Sequence, residues 1–234
     1  MPSARIIGPG RAGTALALAL ADAGWTVDRP LGRGDDVTGA ARGVDVVVVA
    51  TPDSAIAEVA AAVTPGEAAI VHLSGSRGLD VLEPHERRAS LHPLVSLAEG
   101  ARGARLLRGA AFAVAGDAVV ERIVADLDGR AFAVEDDKRT AYHAAACIAS
   151  NHLVALLGQV ERVAEAAGVP LDAYLDLARQ TLDNVATLGP TKALTGPVAR
   201  GDHETVRRHL GALDPLERPA YEAMAEAARR LVSR

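Results

Sequence analysis

Short, mostly apolar runs and longer stretches with an apolar residue every third or fourth position divide this chain unevenly. Arg5-Ile6-Ile7, Val44 to Ala50 and Ala69 to Leu73 are aliphatic but for Arg5, Asp45 and His72, largely β-branched, and bounded by turn residues. That is the form of strands buried on both faces of a parallel sheet. Trp25 to Leu31 is predicted as a further strand, although Pro30 lacks a ladder donor. Thr14 to Ala21 and Ser54 to Val63 read as the intervening helices, the first stopping at Ala23-Gly24. Ala89-Ser90-Leu91, Ala111 to Val114 and Ala131 to Val134 are short strands, with a helix from about Ala118 to Leu127 between the last two. The βαβ rhythm predicts an α/β fold, a Rossmann-like doubly wound parallel sheet.

From Asp137 onward the strand pattern stops. Leu153, Leu156, Leu157, Val160, Val163, Ala164 and Ala167 form one helical stripe, which ends at Gly168-Val169-Pro170. Leu175, Ala178, Thr181, Leu182, Val185 and Leu188 form a second, and Tyr221, Met224, Ala225, Ala228, Leu231 and Val232 a third. The expected organisation is a Rossmann-like domain over residues 1–136 and an all-α domain over 137–234.

Chemistry enters at the first strand–helix junction. Gly8-Pro9-Gly10-Arg11-Ala12-Gly13 follows Ile6-Ile7 and opens a helix of strong helix formers. In such a fingerprint Gly8 makes the tight turn, Gly10 lets a diphosphate approach the main chain, and Gly13 lets helix and strand close up. The helix N-terminus offers unpaired N–H groups to the phosphates. Gly8, Pro9, Gly10, Arg11, Ala12 and Gly13 are therefore expected to bind the cofactor, with Thr51, Pro52 and Ser74 at the ends of the next strands. About 20 positions after the fingerprint an acid selects the ribose hydroxyl of NAD and an arginine the 2′-phosphate of NADP. Arg33 falls there, so NADP is expected, with NAD left open because Asp35 and Asp36 lie close by.

Composition removes other classes of function. The chain has 234 residues, a formal net charge of −5 and 3% aromatics. No basic stripe with interleaved aromatics is present, so no nucleic-acid partner is expected. With few aromatics the core must be filled by Ala, Val and Leu, which favours close helix packing through small residues. Cys147 is the single cysteine, so no internal disulfide forms; no leader is expected, no membrane-length apolar run occurs in the sequence, and a cytoplasmic location is expected. The histidines show no HExxH pattern, Cys147 has no CxxC partner and no serine sits in a GxSxG elbow, so neither a metal site nor acyl transfer is expected.

The fingerprint, Ala50-Thr51-Pro52-Asp53, His72-Leu73-Ser74-Gly75, Ser90-Leu91-His92-Pro93-Leu94, His143 to Ala146, Ser150-Asn151-His152 and Leu194 to Asp202 together resemble a bacterial family of unassigned function. It joins a Rossmann-like domain to a helical C-terminal domain of unknown function. That family is similar in architecture to the superfamily of ketopantoate reductase, pyrroline-5-carboxylate reductase, 3-hydroxyisobutyrate dehydrogenase and 6-phosphogluconate dehydrogenase. The resemblance implies a fold and a cofactor class. In those relatives a lysine and then an asparagine on the first long helix of the second domain face the nicotinamide. Here that helix offers His143, Cys147 and Asn151 at i, i+4 and i+8 on one face, and the lysine is absent unless Lys138 supplies it.

His143 is accordingly the expected acid, with Asn151 orienting the substrate oxygen. Cys147, amid alanines, reads as buried packing. His92 is either a substrate contact or a turn residue ordered by Pro93. Thr195 and Arg200 lie in an irregular polar loop where Arg200 is suited to clamp a carboxylate, while Asp202 is placed to cap a helix over Glu204 to Leu210. The expected function is hydride transfer between NADP(H) and a small, ketopantoate-like oxo or hydroxy acid held between the domains. The alternative is a non-catalytic NADP(H)-binding sensor or scaffold. A homodimer through the Ala/Leu helix faces is expected, with a small acidic molecule as substrate and no membrane.

Overall fold

The computed structural model describes residues 1–232, and the chain divides into two compact units, Met1–Ser150 and Asn151 onward. The first is built on a seven-stranded sheet of β1 (Ser3–Ile7), β2 (Thr26–Val27), β3 (Val46–Val49), β4 (Ala69–His72), β5 (Arg88–Pro93), β6 (Ala111–Gly116) and β7 (Arg130–Ala133). The order is β2-β1-β3-β4-β5-β6-β7. All pairings are parallel except β5 with β6, so the expected doubly wound sheet carries a reversed pair of strands at one edge. The predicted second strand is reduced to Thr26–Val27 plus an isolated bridge from Leu31 to Ile7. Pro30 explains the interruption, since it has no N–H to donate.

The central strands β3 and β4 are buried at every position. Ala4, Ile6, Val46, Val48, Val71, Ala89 and Leu91 pack under α1 (Arg11–Asp22), while Ile7, Val47, Val49 and Ile70 pack under α2 (Ile56–Ala62). Alternation along each strand separates the two sets. The first face also receives α3 (Gly100–Leu107) and α4 (Val119–Asp126). Helix α3 lies against α1 at Gly103, where an added Cβ would come within 3.0 Å of Ala15. This is the close packing through small residues expected of an aromatic-poor core.

On the second face of β4 and β5 the apolar pattern is replaced by His72, Ser90 and His92, set by the same alternation. The helix that follows the sheet, α5 (Arg139–Cys147), belongs to this first unit. A π-helical turn, Ile148–His152, comes next.

The second unit contains α6 (Leu153–Ala166), α7 (Leu171–Leu188), α8 (Pro190–Ala193), α9 (His203–Ala212) and α10 (Arg218–Val232). Gln159 and Arg162 of α6 hold Glu217 just before α10 through its carbonyl and its carboxylate. Asp202 caps α9 by accepting the Thr205 N–H at 3.0 Å, as its sequence position predicts. Among the described residues of this unit only Ala164, Val206 and Ala225 are buried.

Candidate active site

Strand order changes direction at β1 and β3, and the crevice at the carboxyl ends of such strands is where open α/β sheets take their ligands. The glycine loop lies there. Gly8 has φ +112°, and an added Cβ would come within 2.6 Å of the Ala50 carbonyl oxygen. A Cβ at Gly13 would collide with the carbonyl oxygen of Gly8. Gly10 differs from both: nothing lies within 4 Å of the place its Cβ would occupy. It is the N-cap of α1, with no side chain capping it, so the first amides of α1 face open space. Arg11 is exposed and Ala12 partly buried in the first turn.

Two neighbouring loops complete this end of the crevice. The Gly8 N–H donates to the Leu31 carbonyl at 2.8 Å, and Gly32 lies 3.5 Å from Pro9 by its would-be Cβ, which brings the exposed Arg33 beside the fingerprint. Asp35 accepts from Arg29 at 3.0 Å and from the Gly32 N–H at 2.7 Å. The hydrogen bond from Arg29, aided by that amide, holds its carboxyl below the usual carboxylate range. Asp36 accepts the Thr38 N–H at 2.9 Å. After β3, Thr51 carries a buried hydroxyl with no hydrogen-bond partner, next to Pro52, the residue that precedes the helical turn Asp53–Ala55.

Asp53 links this region to the end of β4. Its carboxylate accepts from Ser74 Oγ at 2.7 Å and Ser76 Oγ at 2.8 Å. Burial pushes the Asp53 carboxyl up, but the Ser74 and Ser76 hydroxyls, with Arg77 and His143 nearby, outweigh it and hold the net value below the ordinary one. Ser74, proposed from sequence as a cofactor residue, uses its hydroxyl within this loop, also accepting from the Ser76 and Arg77 amides.

Gly75 is the pivot. A Cβ there would lie 2.8 Å from His143 Cδ2 and 2.9 Å from His92 Nε2 and Cε1, so two imidazoles converge on a residue that must lack a side chain. His92 lies inside β5 rather than in a turn after it, because pairing with β6 continues to Pro93. Its Nδ1 is 2.6 Å from the Tyr142 hydroxyl. Burial, followed by the neighbouring imidazole of His143, pushes the His92 pKa down to about 4, with Arg139 and His72 adding to the effect and Asp53 opposing it.

Beneath them His72 is fully buried. Its Nδ1 accepts the Ser74 N–H and its Nε2–H donates to the Gly78 carbonyl, both at 3.2 Å, which fixes a neutral ring. Burial, then the charge of Arg139, lowers its pKa to about 4. Arg139 is buried too, donating from Nε to Asp136 at 2.8 Å and from Nη1 to Ser90 Oγ at 3.1 Å, while Nη2 has no partner.

The structure therefore gathers His92 and His143 of the expected catalytic set. Asn151 is exposed in the π turn and begins the second unit. The regular i, i+4, i+8 spacing from His143 ends at Cys147, because a π turn takes more residues per turn than an α-helix. Cys147 is partly rather than fully buried. Thr195 and Arg200 are exposed in the segment between α8 and α9. Sequence reasoning passed over Asp53, Tyr142 and Arg139. Arg139, Tyr142 and His143 stand at i, i+3 and i+4, one face of a helix, and Ser90 and His92 at i and i+2, one face of a strand. Those two spacings were the available signal.

The chain belongs to the family described as a domain of unknown function (DUF2520), whose model matches residues 110–228. That span includes α5 and omits the glycine loop. No protein with a curated description matches the sequence. Among solved structures the chain is similar to a candidate NADP oxidoreductase from Bacteroides fragilis, at 22% identity over 98% of both chains with a TM-score of 0.81. It is also similar to a Thermotoga maritima protein, at 24% identity over 98% of both chains and a TM-score of 0.76. Pyrroline carboxylate reductase from Plasmodium falciparum, solved with NADP bound, matches at 13% identity over 99% of this chain and 98% of that one, with a TM-score of 0.65. These likenesses agree on the fold, a Rossmann-like sheet followed by a helical region.

Proposed function

We propose that this member of the family is an NADP(H)-dependent oxidoreductase acting on a small oxo or hydroxy acid. The carrying observation is the open space at Gly10, at the bare N-terminus of α1, on the same strand-end edge that carries His92 in β5. A diphosphate fits the unpaired amides of Arg11 and Ala12, because charge and hydrogen-bond donors are supplied there by the main chain. The buried, unpartnered Thr51 hydroxyl is a second group that a bound dinucleotide would satisfy. NADP is favoured over NAD because Asp35 and Asp36 are engaged within their own loop, whereas the neighbouring Arg33 is exposed and forks readily onto a phosphate.

When bound, the nicotinamide supplies the hydride. His143, beside Gly75, delivers a proton to the oxygen as the carbonyl becomes an alkoxide, and His92 shares the same space as a neutral polar group. The test is calorimetry with both coenzymes, followed by NADPH oxidation against a panel of 2-oxo acids. Binding of NADPH with turnover of one of them is expected. No association with either coenzyme removes the reading, and binding without turnover points to the sensor alternative.

A homodimer is part of the proposal. Among the described residues of the second unit the three that are buried are small, whereas Leu177, Leu182 and Leu188 of α7 are at least half exposed. An apolar stripe of this kind is normally covered. Light scattering is expected to give twice the chain mass; a monomer at micromolar concentration rejects it.

A further inference from the structure

Tyr142 has no part in the scheme above, yet its hydroxyl makes the shortest contact to either imidazole, 2.6 Å to His92 Nδ1. The ring is held on two sides: Phe132 of β7 packs edge-on with centroids 5.9 Å apart, and His92 at 5.5 Å with the planes 88° apart. Its hydroxyl is thereby aimed at His92 of β5. Burial raises the Tyr142 pKa, so the phenol is uncharged and carries its proton.

A phenol is a far stronger acid than the N–H of neutral imidazole, and an imidazole nitrogen is a better acceptor than a phenol oxygen. Between two neutral partners the O–H therefore donates to Nδ1. The remaining proton of His92 then resides on Nε2, on the ring edge that turns toward Gly75, with the His143 ring 6.0 Å away between centroids. The surroundings of the ring are the groups that disfavour a charge on it: His143, His72 and the buried Arg139, against Asp53 alone on the other side.

We propose that Tyr142 is a positioning residue that locks His92 as the neutral Nε2–H tautomer, presenting a fixed N–H donor to the substrate oxygen beside the proton donor His143. The role in turnover rests on the reductase reading; the tautomer does not. Such a donor stabilises the developing alkoxide without itself giving up a proton, and it divides the two histidines into one that polarises and one that protonates.

The experiment is long-range nitrogen–proton NMR of the histidine rings in 15N-labelled protein, with Tyr142→Phe alongside and Trp25 fluorescence to check that the variant is folded. In the wild type the His92 signals should show a protonated Nε2 and a bare Nδ1, unchanged between pH 6 and 8. In Tyr142→Phe they should average toward a mixture of tautomers. A protonated Nδ1 in the wild type, or an identical pattern in the variant, overturns the lock whether or not any substrate is turned over. With an active substrate, kcat of Tyr142→Phe should fall on the order of ten-fold with the KM for NADPH unmoved. Unchanged kcat overturns the catalytic part while the spectra still report the lock, and a lock found in a protein that turns over no substrate rejects the reductase reading instead.

Discussion

Three glycines of this chain answer to different neighbours, and exchanging each for alanine separates folding from binding. At Gly13 a methyl group meets the Gly8 carbonyl oxygen, a backbone atom that cannot give way without moving the loop. Gly13→Ala is expected to lower stability by about 1–3 kcal/mol, the usual cost of overpacking a tight site, and to abolish coenzyme binding. At Gly10 the φ of −71° suits any residue and the space is open. Gly10→Ala should leave the melting temperature where it is and still weaken NADPH at least ten-fold, since the methyl occupies the place where phosphate oxygens approach the amides. Thermal melts and calorimetry on the pair check this, and equal effects of the two substitutions on stability would refute it. Gly75 is a third case. Gly75→Ala puts a methyl group 2.8–2.9 Å from both His143 and His92 and forces the two rings to move, so turnover should drop by ten-fold or more with NADPH affinity retained, as steady-state kinetics and calorimetry would report.

The elements that sequence patterning located are those whose apolar residues do one job. The runs ending in Ala50 and Leu73 are buried on both faces, so nearly every position is aliphatic and the strand is legible. The segment Gly100–Leu107 was passed over as a helix because Gly103, Ala104 and Leu107 are its buried positions, and a glycine packed on Ala15 looks like a loop residue in a sequence. Helix α5 was legible as a helix but not as the roof of a polar cluster, since its only buried residue is Arg139. That guanidinium fixes α5 over β5 through Ser90 and takes its one counter-charge from Asp136. Removing the anion leaves a buried charge uncompensated, whereas removing the cation leaves a space for a methionine of similar shape, a half-exposed Asp136 that water can solvate, and the Ser90 hydroxyl without one neutral hydrogen bond. Asp136→Ala is therefore expected to cost roughly 2 kcal/mol and Arg139→Met less than that. Urea titrations of the two variants check the order, and the reverse order would mean that the pair stabilises the fold by its own attraction.

Taken as a whole, the first unit holds two histidines, His72 and His92, whose surroundings disfavour the charged ring, and this couples its stability to pH. His72 and His92 each have a pKa near 4 in the folded state, against an ordinary value of 6.5. Between those values the unfolded chain binds protons that the folded chain refuses, so acidification draws the equilibrium toward unfolding. The contribution is fully present above pH 6.5 and is lost as the pH falls toward 4. Each histidine changes stability by up to about 1.4 kcal/mol per pH unit inside that window, so the two together give close to 3. The carboxylates held low by their partners, Asp35, Asp53 and Asp117 among them, act only below their ordinary value of 3.8 and leave this window to the imidazoles. Trp25 is the chain's one tryptophan and is buried in the first unit, so its fluorescence follows that unit through a urea titration. The midpoint should fall clearly between pH 7.5 and pH 5, and in His92→Asn the fall should be about half as large. Equal midpoints at the two pH values would mean that these rings accept protons without leaving the fold, and that neither imidazole is held neutral by its burial.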